Sequence, residues 1–577
     1  MEKFYENVRE ITDFKDLINQ SVELYGDNPV FVFKKRMYKE NEKVEFNKMT
    51  YKEFKNEIDY FGTALNSLGI ESKRVALISK NRYEWNVVYY ATTTDGKIIV
   101  PLDKALPDNE IISLAERSEA EVMVFEEKYI DIMKKIKNNK SSKIQKFICL
   151  DLEEDKDGFL SYKNLLRKGK ELLETGNRSY LDAKIDPEKL SVLLFTSGTT
   201  SRSKAVMLSQ KNICSNVMDI NKVIKFYETD SMLALLPFHH AFQALINHVL
   251  FYIGGSMSFC DGLRYIAQNL CEYKPTVIVC VPLILESIHK KIVKTIDKEG
   301  KTKLVNRMKK ITNVLDKIHI NVKERIFKEI HDAVGGNVRL IVSGAAAMDS
   351  SLIKSFNEFG FKIYQGYGLT ETSPVISVEN DRNIKPGSVG KKLPSLEVKI
   401  YNPDEQGIGE ILVKGPSVMI GYYQNNEATQ ESFIDGWFNT GDLGYIEDDY
   451  IYITGRKKNV IVQKNGKNIF PEELELLISY IPGVKENIVY GKPTKDNDLD
   501  VCVKIVYDEE IIKNIMGYIN ENDIHKYMKE KISEINKKMP PYKHIRDIIV
   551  TNQELIKTTT AKVKRHEEIA RILGENK

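Results

Sequence analysis

The stretch LLFTSGTTSRSKAV, residues 193–206, joins an apolar run to a loop of small, hydroxyl-bearing residues that ends at one cation, Lys204. The run at 191–195 predicts a buried strand. In the loop after it, backbone N–H groups and hydroxyls can converge on one point, which suits a polyphosphate, and Gly198 allows close approach of the backbone. No Gly-Lys-Ser/Thr closes the loop, so it is not the P-loop of nucleotide triphosphatases. By itself such a cluster is more often an ordinary loop.

Short apolar runs alternate with helical patterns on both sides of this stretch, at residues 74–78, 97–102, 121–125, 146–150, 277–281 and 339–342. Continuous Val/Ile-rich runs separated by helices predict parallel strands that are buried on both faces. From about Gly387 the runs become shorter and alternate with Gly and Pro turns, which predicts an antiparallel, barrel-like portion at about 387–457. A mixed α+β unit follows from Lys458, with a helix that opens at Pro471.

Length, charge and cysteine usage narrow the class of protein. The 577 residues are too many for one core and predict three or four compact units. The net charge of +3 gives no ground for a general nucleic-acid role. Six cysteines without a CxxC pair indicate core thiols in a reducing compartment, and neither a secretory signal nor a bilayer-spanning apolar run is present in the sequence. We therefore expect a cytoplasmic protein.

One segment is strongly basic. Between Lys290 and Lys328 there are thirteen Lys or Arg residues and four acidic ones, with apolar residues at helical spacing. This pattern fits peripheral contact with a membrane surface or another anionic partner. It also fits a solvated pair of helices with an apolar inner face, and this second interpretation is favoured.

Two segments carry residues suited to a nucleotide. In SGAAAMD, residues 343–349, small side chains after a strand leave room for a flat group at the strand's C-terminal edge. In YQGYGLTETSP, residues 364–374, glycines bracket Tyr367 and free its ring for stacking. Thr370 and Glu371 then offer two oxygens to a hard cation such as Mg²⁺. Alone, each segment has an ordinary explanation in helix–strand packing or a helix cap.

Two later segments carry isolated charges. In residues 436–459, Asp442 is expected in a tight turn and Arg456 follows a hairpin with its tip at 447–449, so the two can meet. A carboxylate beside a guanidinium is suited to the hydroxyls of a ribose. In KTTTAKVKRHE, residues 557–567, a hydroxyl-rich turn presents Lys562 before a basic helix start. Without the other segments these would be a surface pair and a charged tail.

Together and in this order, the segments resemble the adenylate-forming superfamily of acyl-CoA synthetases, luciferases and peptide-synthetase adenylation domains, over roughly residues 14–564. The resemblance implies an α/β fold with a large N-terminal domain, residues 1–457, of mainly parallel sheets flanked by helices plus a distorted β-barrel. It also implies a small, mobile α+β C-terminal domain, residues 458–577, with its hinge at Lys458.

The resemblance further implies the roles of individual residues. Glu371 would hold Mg²⁺, and Lys562 would drive adenylation together with Thr370 and Glu371. His240 would lie beside the acyl pocket, and the loop around Gly466 would help to form the CoA tunnel. ATP or AMP would be bound by Thr196, Ser197, Gly198, Thr199, Thr200, Lys204, Gly344, Ala345, Ala346, Tyr367, Gly368, Thr370, Asp442 and Arg456.

Departures from the family pattern are few. The family loop usually reads TSGTTG-x-PKG, whereas Ser201, Ser203 and Ala205 stand here for Gly, Pro and Gly, and Ala561 stands where many members have Gly. The losses of Gly stiffen the phosphate loop, so the family pattern does not fix the path of its backbone.

A long insert before residue 339 and a lysine motif without Gly resemble the long-chain fatty-acyl-CoA synthetase branch. The implied activity is ATP-dependent activation of a fatty acid to an acyl-adenylate, followed by thioester formation with CoA, giving AMP and pyrophosphate. Three alternatives stay open: an adenylating enzyme that loads a carrier protein, an aryl- or amino-acid-activating relative, and a catalytically silent acyl- or nucleotide-binding homologue.

Overall fold

The computed structural model describes most of the chain: residues 5, 8–35, 44–70, 73–139, 141–196, 203–318, 320, 322–346, 348–464, 467–494, 498–557 and 563–574. Within these residues, every helix is too short or too polar to cross a bilayer.

Helices in the described residues often begin at a side chain that caps them, as Asp13, Thr50 and Ser161 do for the helices that follow. The α-helices are α1 Phe14–Tyr25, α2 Tyr51–Asn66, α3 Tyr83–Thr93, α4 Asp108–Arg117, α5 Ile130–Asn138, α6 Tyr162–Glu174, α7 Gln210–Val223, α8 Ala241–Ile253, α9 Ile266–Tyr273, α10 Pro282–Lys298, α11 Thr302–Lys317, α12 Lys323–Ile326, α13 Lys328–Asp332, α14 Ser350–Phe359, α15 Asn426–Glu431, α16 Pro471–Ser479, α17 Glu509–Met516, α18 Glu521–Asn536 and α19 Arg565–Leu573. Short 3₁₀ helices cover Glu127–Tyr129, Leu263–Tyr265, Thr370–Thr372, Lys457–Asn459 and Pro541–Lys543.

The strands are mostly short. They are β1 Pro29–Lys34, β2 Phe46–Thr50, β3 Arg74–Ile78, β4 Ile98–Pro101, β5 Val122–Phe125, β6 Lys146–Cys149, β7 Leu160–Ser161, β8 Leu190–Thr196, β9 Lys204–Ser209, β10 Ser231–Ala234, β11 Ser256–Phe259, β12 Val277–Cys280, β13 Leu340–Ser343, β14 Ile363–Gly368, β15 Val375–Val378, β16 Lys391–Lys392, β17 Glu397–Tyr401, β18 Gly409–Lys414, β19 Gly421–Tyr422, β20 Phe433–Ile434, β21 Trp437–Glu447, β22 Tyr450–Arg456, β23 Ile461–Val462, β24 Asn468–Ile469, β25 Val484–Pro493, β26 Leu499–Tyr507 and β27 Asp547–Thr551.

The larger of two compact units, unit 1, comprises the described residues up to Thr196 together with 204–397 and 414–431. One of its sheets runs in the order β19-β9-β8-β4-β3-β5-β6-β7, parallel from β8 to β7. Its other sheet runs β16-β15-β14-β13-β12-β10-β11-β1-β2, parallel from β14 to β1 and antiparallel at both ends. The six runs noted in the sequence are β3, β4, β5, β6, β12 and β13, so the predicted parallel strands are confirmed.

A layer of helices joins the two sheets of unit 1. Helices α3 and α7 contact the first sheet, α2 and α8 contact the second, and α2 packs on α3 as α7 packs on α8. Their aromatic side chains merge into one core, in which Phe31, Phe54 and Phe251 are fully buried against one another. The expectation of three or four units is wrong for this reason: the shared helices make one compact unit of what the length alone would divide.

The second unit, unit 2, comprises Ser203, Val398–Val413 and the described residues from Ser432 on. Strands β18, β20, β21 and β22 pair antiparallel, as predicted for this region. Strands β25, β26 and β27 form a three-stranded sheet whose apolar core includes Ile478 of α16 and Ile524 of α18. The predicted domain boundary and hinge at Lys458 stay predictions.

The basic segment forms the predicted pair of helices, α10 and α11. Helix α10 has an apolar inner face, with Ile284, Leu285 and Ile292 buried. In α11, by contrast, Thr312 is the one buried residue. The predicted apolar inner face is therefore only partial in α11: Val305, Met308 and Leu315 are half-buried, but the other large apolar side chains are exposed, namely Leu304, Ile311, Val314 and Ile318.

Candidate functional site

The hairpin of β8 and β9 frames the predicted phosphate loop. Ser197, Gly198, Thr199 and Thr200 lie outside the described residues, but both edges of the loop are defined. Thr196 and Lys204 are cross-strand partners, and the Thr196 hydroxyl donates to the Lys204 carbonyl at 3.3 Å. The Lys204 ammonium lies 4.5 Å from the centre of the Tyr422 ring, a cation–π distance. A cation is therefore held at the mouth of this hairpin.

Thr370 and Glu371 lie on a tight 3₁₀ turn after β14. The turn depends on Gly368, since a Cβ there would lie 1.9 Å from the Pro374 carbonyl oxygen. The Leu369 N–H donates to that same oxygen at 3.0 Å, and the Met419 N–H donates to the Glu371 carbonyl at 2.8 Å. The backbone that presents Thr370 and Glu371 is therefore held from two sides.

Tyr422 connects Glu371 to Lys204. Its hydroxyl donates to Glu371 Oε1 at 2.9 Å, while its ring lies under the Lys204 ammonium. Tyr422 reaches this place because β19 pairs antiparallel with β9, with Tyr422 opposite Val206. The sequence analysis missed this residue. The one local signal was a pair of aromatic residues in the short run VMIGYY, residues 418–423.

Glu371 is suited to share a Mg²⁺ ion with a bound phosphate. In the described part of the chain no group of three or more His, Cys, Asp or Glu side chains could enclose a metal. Mg²⁺ commonly takes one or two carboxylates and completes its shell with water and substrate phosphate oxygens. A single carboxylate, oriented by the Tyr422 hydroxyl and close to the hairpin that would hold phosphates, fits that mode of binding.

Gly344, Ala345 and Ala346 follow β13, and Tyr367 lies on the neighbouring parallel strand β14. A Cβ at Gly344 would lie 3.3 Å from the Gly366 carbonyl oxygen, so the two strands approach closely at this point. Ala345 has φ 69°, a left-handed conformation that costs a residue with a side chain about 1–2 kcal/mol. Strain of this kind concentrates at binding sites. Small residues and an aromatic ring thus meet at the C-terminal ends of adjacent parallel strands.

His240 is the N-cap of α8, and its ring centre lies 4.2 Å from that of His239. The loop before it is held by Asn81, whose side chain donates to the Leu236 carbonyl at 2.8 Å and accepts from the Phe238 N–H at 3.1 Å. His240 is therefore presented at a defined position at the start of a mostly buried helix.

A narrow cavity of about 10 Å³ lies beside α8. Four of its lining residues, Ala241, Ala244, Leu245 and His248, form one face of that helix. This face extends about 10 Å from the end that carries His240. The remaining lining is mainly apolar: Tyr89, Pro101, Val192, Leu194, Leu208, Ile213, Phe238 and Ser373. Leu194 is two residues from Thr196, and Ser373 is two residues from Glu371. Part of the cavity lining is therefore close along the chain to both of these residues.

His248 is the lining residue of α8 that lies farthest along the helix from His240. Burial lowers the pKa of His248 to about 3, so its ring is neutral at any physiological pH. Its Nδ1 is hydrogen-bonded to the Tyr90 hydroxyl, and the ring stacks on Phe14 with centres 4.5 Å apart. These contacts hold the ring in place within a mainly apolar lining.

In unit 2, Asp442 and Arg456 meet as predicted. They are cross-strand partners, and Arg456 Nε lies 2.7 Å from Asp442 Oδ1. The Asp442 side chain is 5% exposed and that of Arg456 is 50% exposed, so the guanidinium faces solvent while the carboxylate anchors it. The expected tight turn at Asp442 is wrong: a positive φ at Gly441 and a bulge at 443–444 bend β21 there without ending it.

Lys458 is exposed on the 3₁₀ turn that follows β22, between two anchored neighbours. Lys457 donates to Glu410 on β18 at 2.7 Å, and the Asn459 side chain donates to Glu472 on α16 at 2.5 Å. The predicted hinge residue therefore lies where the chain passes from one set of contacts to another.

Gly466 and Lys562 lie outside the described residues. The chain on each side of Lys562 is nevertheless held in unit 2. Lys557 forms an ion pair with Glu486 and a β-bridge with Val563, and the Lys564 N–H donates to the Ile556 carbonyl at 2.8 Å. Both ends of the segment that carries Lys562 are thus fixed to the same sheet.

Comparison with known proteins agrees with this geometry. FadD15 of Mycobacterium tuberculosis, a long-chain-fatty-acid–CoA ligase, is 29% identical over 476 residues, covering 77% of this chain and 75% of its own. Fatty acyl-CoA synthetase B of Dictyostelium discoideum is 27% identical over 620 residues, covering 97% and 89%. The crystal structure of the anthranilate CoA ligase AuaEII with anthranoyl-AMP matches with a TM-score of 0.75 at 20% identity, covering 99% and 98%, which establishes the fold.

The family profile described as "AMP-binding enzyme" matches residues 18–423. The match includes the β8–β9 hairpin, the turn that carries Glu371, and Tyr422. It spans well over half of the 577 residues. This chain is therefore a member of the AMP-binding enzyme family.

Proposed function

We propose that this protein is an ATP-dependent fatty acid–CoA ligase, which makes an acyl-adenylate and pyrophosphate and then a CoA thioester and AMP. The observation that carries the proposal is the meeting of Lys204, Tyr422 and Glu371 close to an apolar cavity. Groups suited to phosphates and a metal thus lie near an apolar lining of the kind that an alkyl chain contacts. The similar proteins are fatty acyl-CoA ligases by name, which supports a fatty acid as substrate.

The first step joins two anions. An oxygen of the fatty acid carboxylate forms a bond to the α-phosphorus of ATP while the bond from that phosphorus to pyrophosphate breaks. Positioning and neutralisation of charge therefore carry most of the catalysis. In the proposal Lys204 and Lys562 supply positive charge, Thr370 contacts the α-phosphate, and Glu371 holds Mg²⁺. Bound Mg²⁺ would neutralise part of the phosphate charge.

The phosphates and the nucleoside have separate partners in this proposal. Hydroxyl and N–H groups of the 196–200 loop hold the β- and γ-phosphates. Gly344, Ala345 and Ala346 line the adenine face, while Tyr367, followed by Gly368, stacks on the base. Asp442 accepts from the ribose hydroxyls and Arg456 donates beside it. The burial of Asp442 and the exposure of Arg456 support these two roles.

The fatty acid enters with its carboxylate near His240 and its alkyl chain along α8. The face of Ala241, Ala244 and Leu245 gives the chain an apolar path, with His248 farthest along it from His240. Because His248 is neutral, it carries no charge that an alkyl chain would have to meet.

The second step transfers the acyl group to sulfur. The CoA thiol sulfur forms a bond to the acyl carbon, and the bond from that carbon to AMP breaks. We propose that the C-terminal domain turns about Lys458, removing Lys562 and bringing in the loop around Gly466 to line the path of CoA.

Separate assays of the two steps test these roles. Lys562→Ala is expected to lose acid-dependent pyrophosphate release yet still convert a supplied acyl-adenylate and CoA to product. Lys458→Pro is expected to do the opposite, because proline restricts the rotation at that position. Equal loss of both steps in either variant contradicts the assignment of Lys562 to the first step and of the hinge at Lys458 to the second.

The choice of acceptor and acid is tested with the purified protein. Pyrophosphate release is measured with fatty acids of increasing length, with an aryl acid and with amino acids, and the product is identified with free CoA or with an acyl carrier protein. Acyl-CoA formed from fatty acids supports the proposal. Transfer to the carrier alone, or activation of aryl or amino acids alone, replaces it with the corresponding alternative. ATP binding without acid-dependent pyrophosphate release identifies a silent homologue.

We also propose that the enzyme works in the cytoplasm and meets its substrate at a membrane surface, through the basic segment between Lys290 and Lys328. A long-chain fatty acid partitions into lipid, so contact with a bilayer shortens its route to the cavity.

A further inference from the structure

Helix α11 carries two parallel rows of side chains. Leu304, Ile311 and Ile318 (the last at the C-cap) are spaced seven residues apart, and so are Lys303, Lys310 and Lys317. Seven residues are close to two turns of an α-helix, so each row runs along the helix. The rows differ by one residue and therefore by about 100° around the axis. An apolar stripe about 21 Å long thus lies beside a stripe of lysines.

The apolar stripe faces solvent. Leu304, Ile311, Val314 and Ile318 are 52%, 43%, 62% and 60% exposed. The helix is attached through its opposite side, where the Lys309 ammonium lies 3.2 Å from Glu358 and 4.0 Å from the centre of the Phe359 ring. Four large apolar side chains on one exposed face make a patch of the kind that marks an interaction site.

The lysine stripe has no counter-charge of its own. Lys303, Arg307, Lys310 and Lys317 form no ion pair with a carboxylate in the described part of the chain, although Lys301, Lys309 and Lys323 nearby all do. Arg307 lies between Leu304 and Ile311 on the apolar stripe itself. The face therefore offers uncompensated positive charge together with exposed apolar surface.

The occupant must be both anionic and apolar. A second copy of the same face would bring like charges together, which disfavours self-association. A bilayer surface with acidic lipids matches both properties, because phosphates attract the cations while short apolar side chains insert at the level of the headgroups.

We infer that α11 docks on a membrane surface that contains anionic lipid. Leu304, Ile311, Val314 and Ile318 enter the interface, and Lys303, Arg307, Lys310 and Lys317 lie at the phosphates. The inference deepens the membrane contact of the proposed function but does not depend on the reaction, because α11 carries none of the residues proposed for chemistry.

The experiment is sedimentation of the full-length protein with vesicles of phosphatidylcholine alone or mixed with one-third phosphatidylglycerol. One variant combines Lys303→Gln, Lys310→Gln and Lys317→Gln. Another combines Ile311→Ser and Ile318→Ser. The charge control places the same three changes on the exposed lysines Lys526, Lys529 and Lys537 at α18, and the apolar control combines Leu24→Ser and Ile515→Ser.

The wild type is expected to bind the mixed vesicles, and to bind them less tightly as salt rises. Each lysine near an anionic surface contributes about fivefold, so the triple variant should bind about a hundredfold more weakly. The double serine variant should lose at least tenfold, and both controls should bind like the wild type.

Equal binding to both vesicle types, no binding at all, or unaltered binding by the α11 variants would overturn the inference. So would a change in oligomeric state caused by the α11 variants, measured by light scattering, since this would identify a second copy as the occupant. Thermal melting and pyrophosphate release with a soluble short-chain acid confirm that each variant is folded, because α11 lies outside the proposed site.

Discussion

The hydroxyl of Tyr422 offers the sharpest test of the proposed site. Tyr422→Phe removes one oxygen atom and leaves the ring, so the Lys204 ammonium keeps its cation–π partner at 4.5 Å. What disappears is the 2.9 Å hydrogen bond to Glu371 Oε1. The variant therefore separates the orientation of a metal-binding carboxylate from the position of a phosphate-binding cation.

The size of the effect follows from that one bond. A hydrogen bond to a charged group is worth about 1.5–3 kcal/mol, which corresponds to roughly 10–150-fold. Groups that orient a metal ligand from behind usually change metal affinity or activity by about 10–100-fold. We expect kcat/KM for ATP in the adenylation step to fall by about 10–100-fold, and excess Mg²⁺ to restore part of the loss.

The assay is acid-dependent pyrophosphate release as a function of ATP and Mg²⁺ concentration. Tyr423→Phe is the matched control, because the hydroxyl of this neighbouring tyrosine also donates to a carboxylate, that of Glu119. Glu119 is independently bound to Arg74 and Lys143, and it belongs to no proposed role. This control should retain wild-type kinetics.

A Tyr422→Phe enzyme with wild-type kcat/KM for ATP and wild-type dependence on Mg²⁺ would refute the role given to Glu371. Tyr422→Leu also tests the cation–π contact with Lys204, because it removes the ring as well as the hydroxyl. If the cation–π contact contributes, this variant should lose a further factor of about 2–30, and the additional loss should not respond to Mg²⁺.

Three further predictions concern other parts of the molecule. Asp442→Asn removes the counter-charge of Arg456 and should raise KM for ATP about tenfold or more, with a smaller change in kcat. Initial rates at varied ATP concentration check this, and an unchanged KM contradicts the ribose role. Ala244→Phe fills the cavity beside α8 and should lower kcat/KM for long-chain acids at least tenfold while sparing acids of a few carbons, measured by pyrophosphate release. Glu568→Gln leaves the Lys504 ammonium buried without a counter-charge and should lower the free energy of unfolding by about 3–5 kcal/mol, measured by denaturant titration.

The contribution of the Glu568 carboxyl to the free energy of unfolding should depend on pH. Burial raises the pKa of Glu568, but hydrogen bonds from Lys504, from the Ile556 N–H and from Arg571 outweigh burial and hold the pKa below its ordinary value. Its stabilising contribution is thus complete above about pH 4.3, the ordinary pKa of the group, and is lost as the pH falls through the lowered pKa. Titrations at neutral and acidic pH should show the advantage of wild type over Glu568→Gln shrinking on acidification; an advantage independent of pH would contradict this assignment.

Much of the fold was predictable from short segments of sequence. A buried parallel strand is a run of apolar residues wherever it occurs, so β3, β12 and β13 could be identified without knowledge of their neighbours. The approach of Asp442 to Arg456 was also accessible, because a short hairpin brings the flanking strands together, but the bulge at 443–444 sets the one-residue shift that places the two opposite each other. In both cases the information lies within a few residues along the chain.

The link through Tyr422 could not be predicted in this way. Tyr422 and Glu371 are 51 residues apart, and they meet only because β19 joins the edge of the first sheet beside β9. Which strand pairs with which edge depends on the packing of the whole unit, and no local pattern encodes it.

The solvent exposure of the apolar face of α11 also could not be predicted from the sequence. Apolar residues at helical spacing predict that a helix has an apolar face, but periodicity does not say whether that face meets the core or the solvent. In α11 the contacts of Lys309 and the burial of Thr312 turn the other side of the helix inward, which leaves Leu304 and Ile318 outside. Local chemistry thus specified the elements and their reactive groups, whereas long-range packing alone selected which of those groups meet.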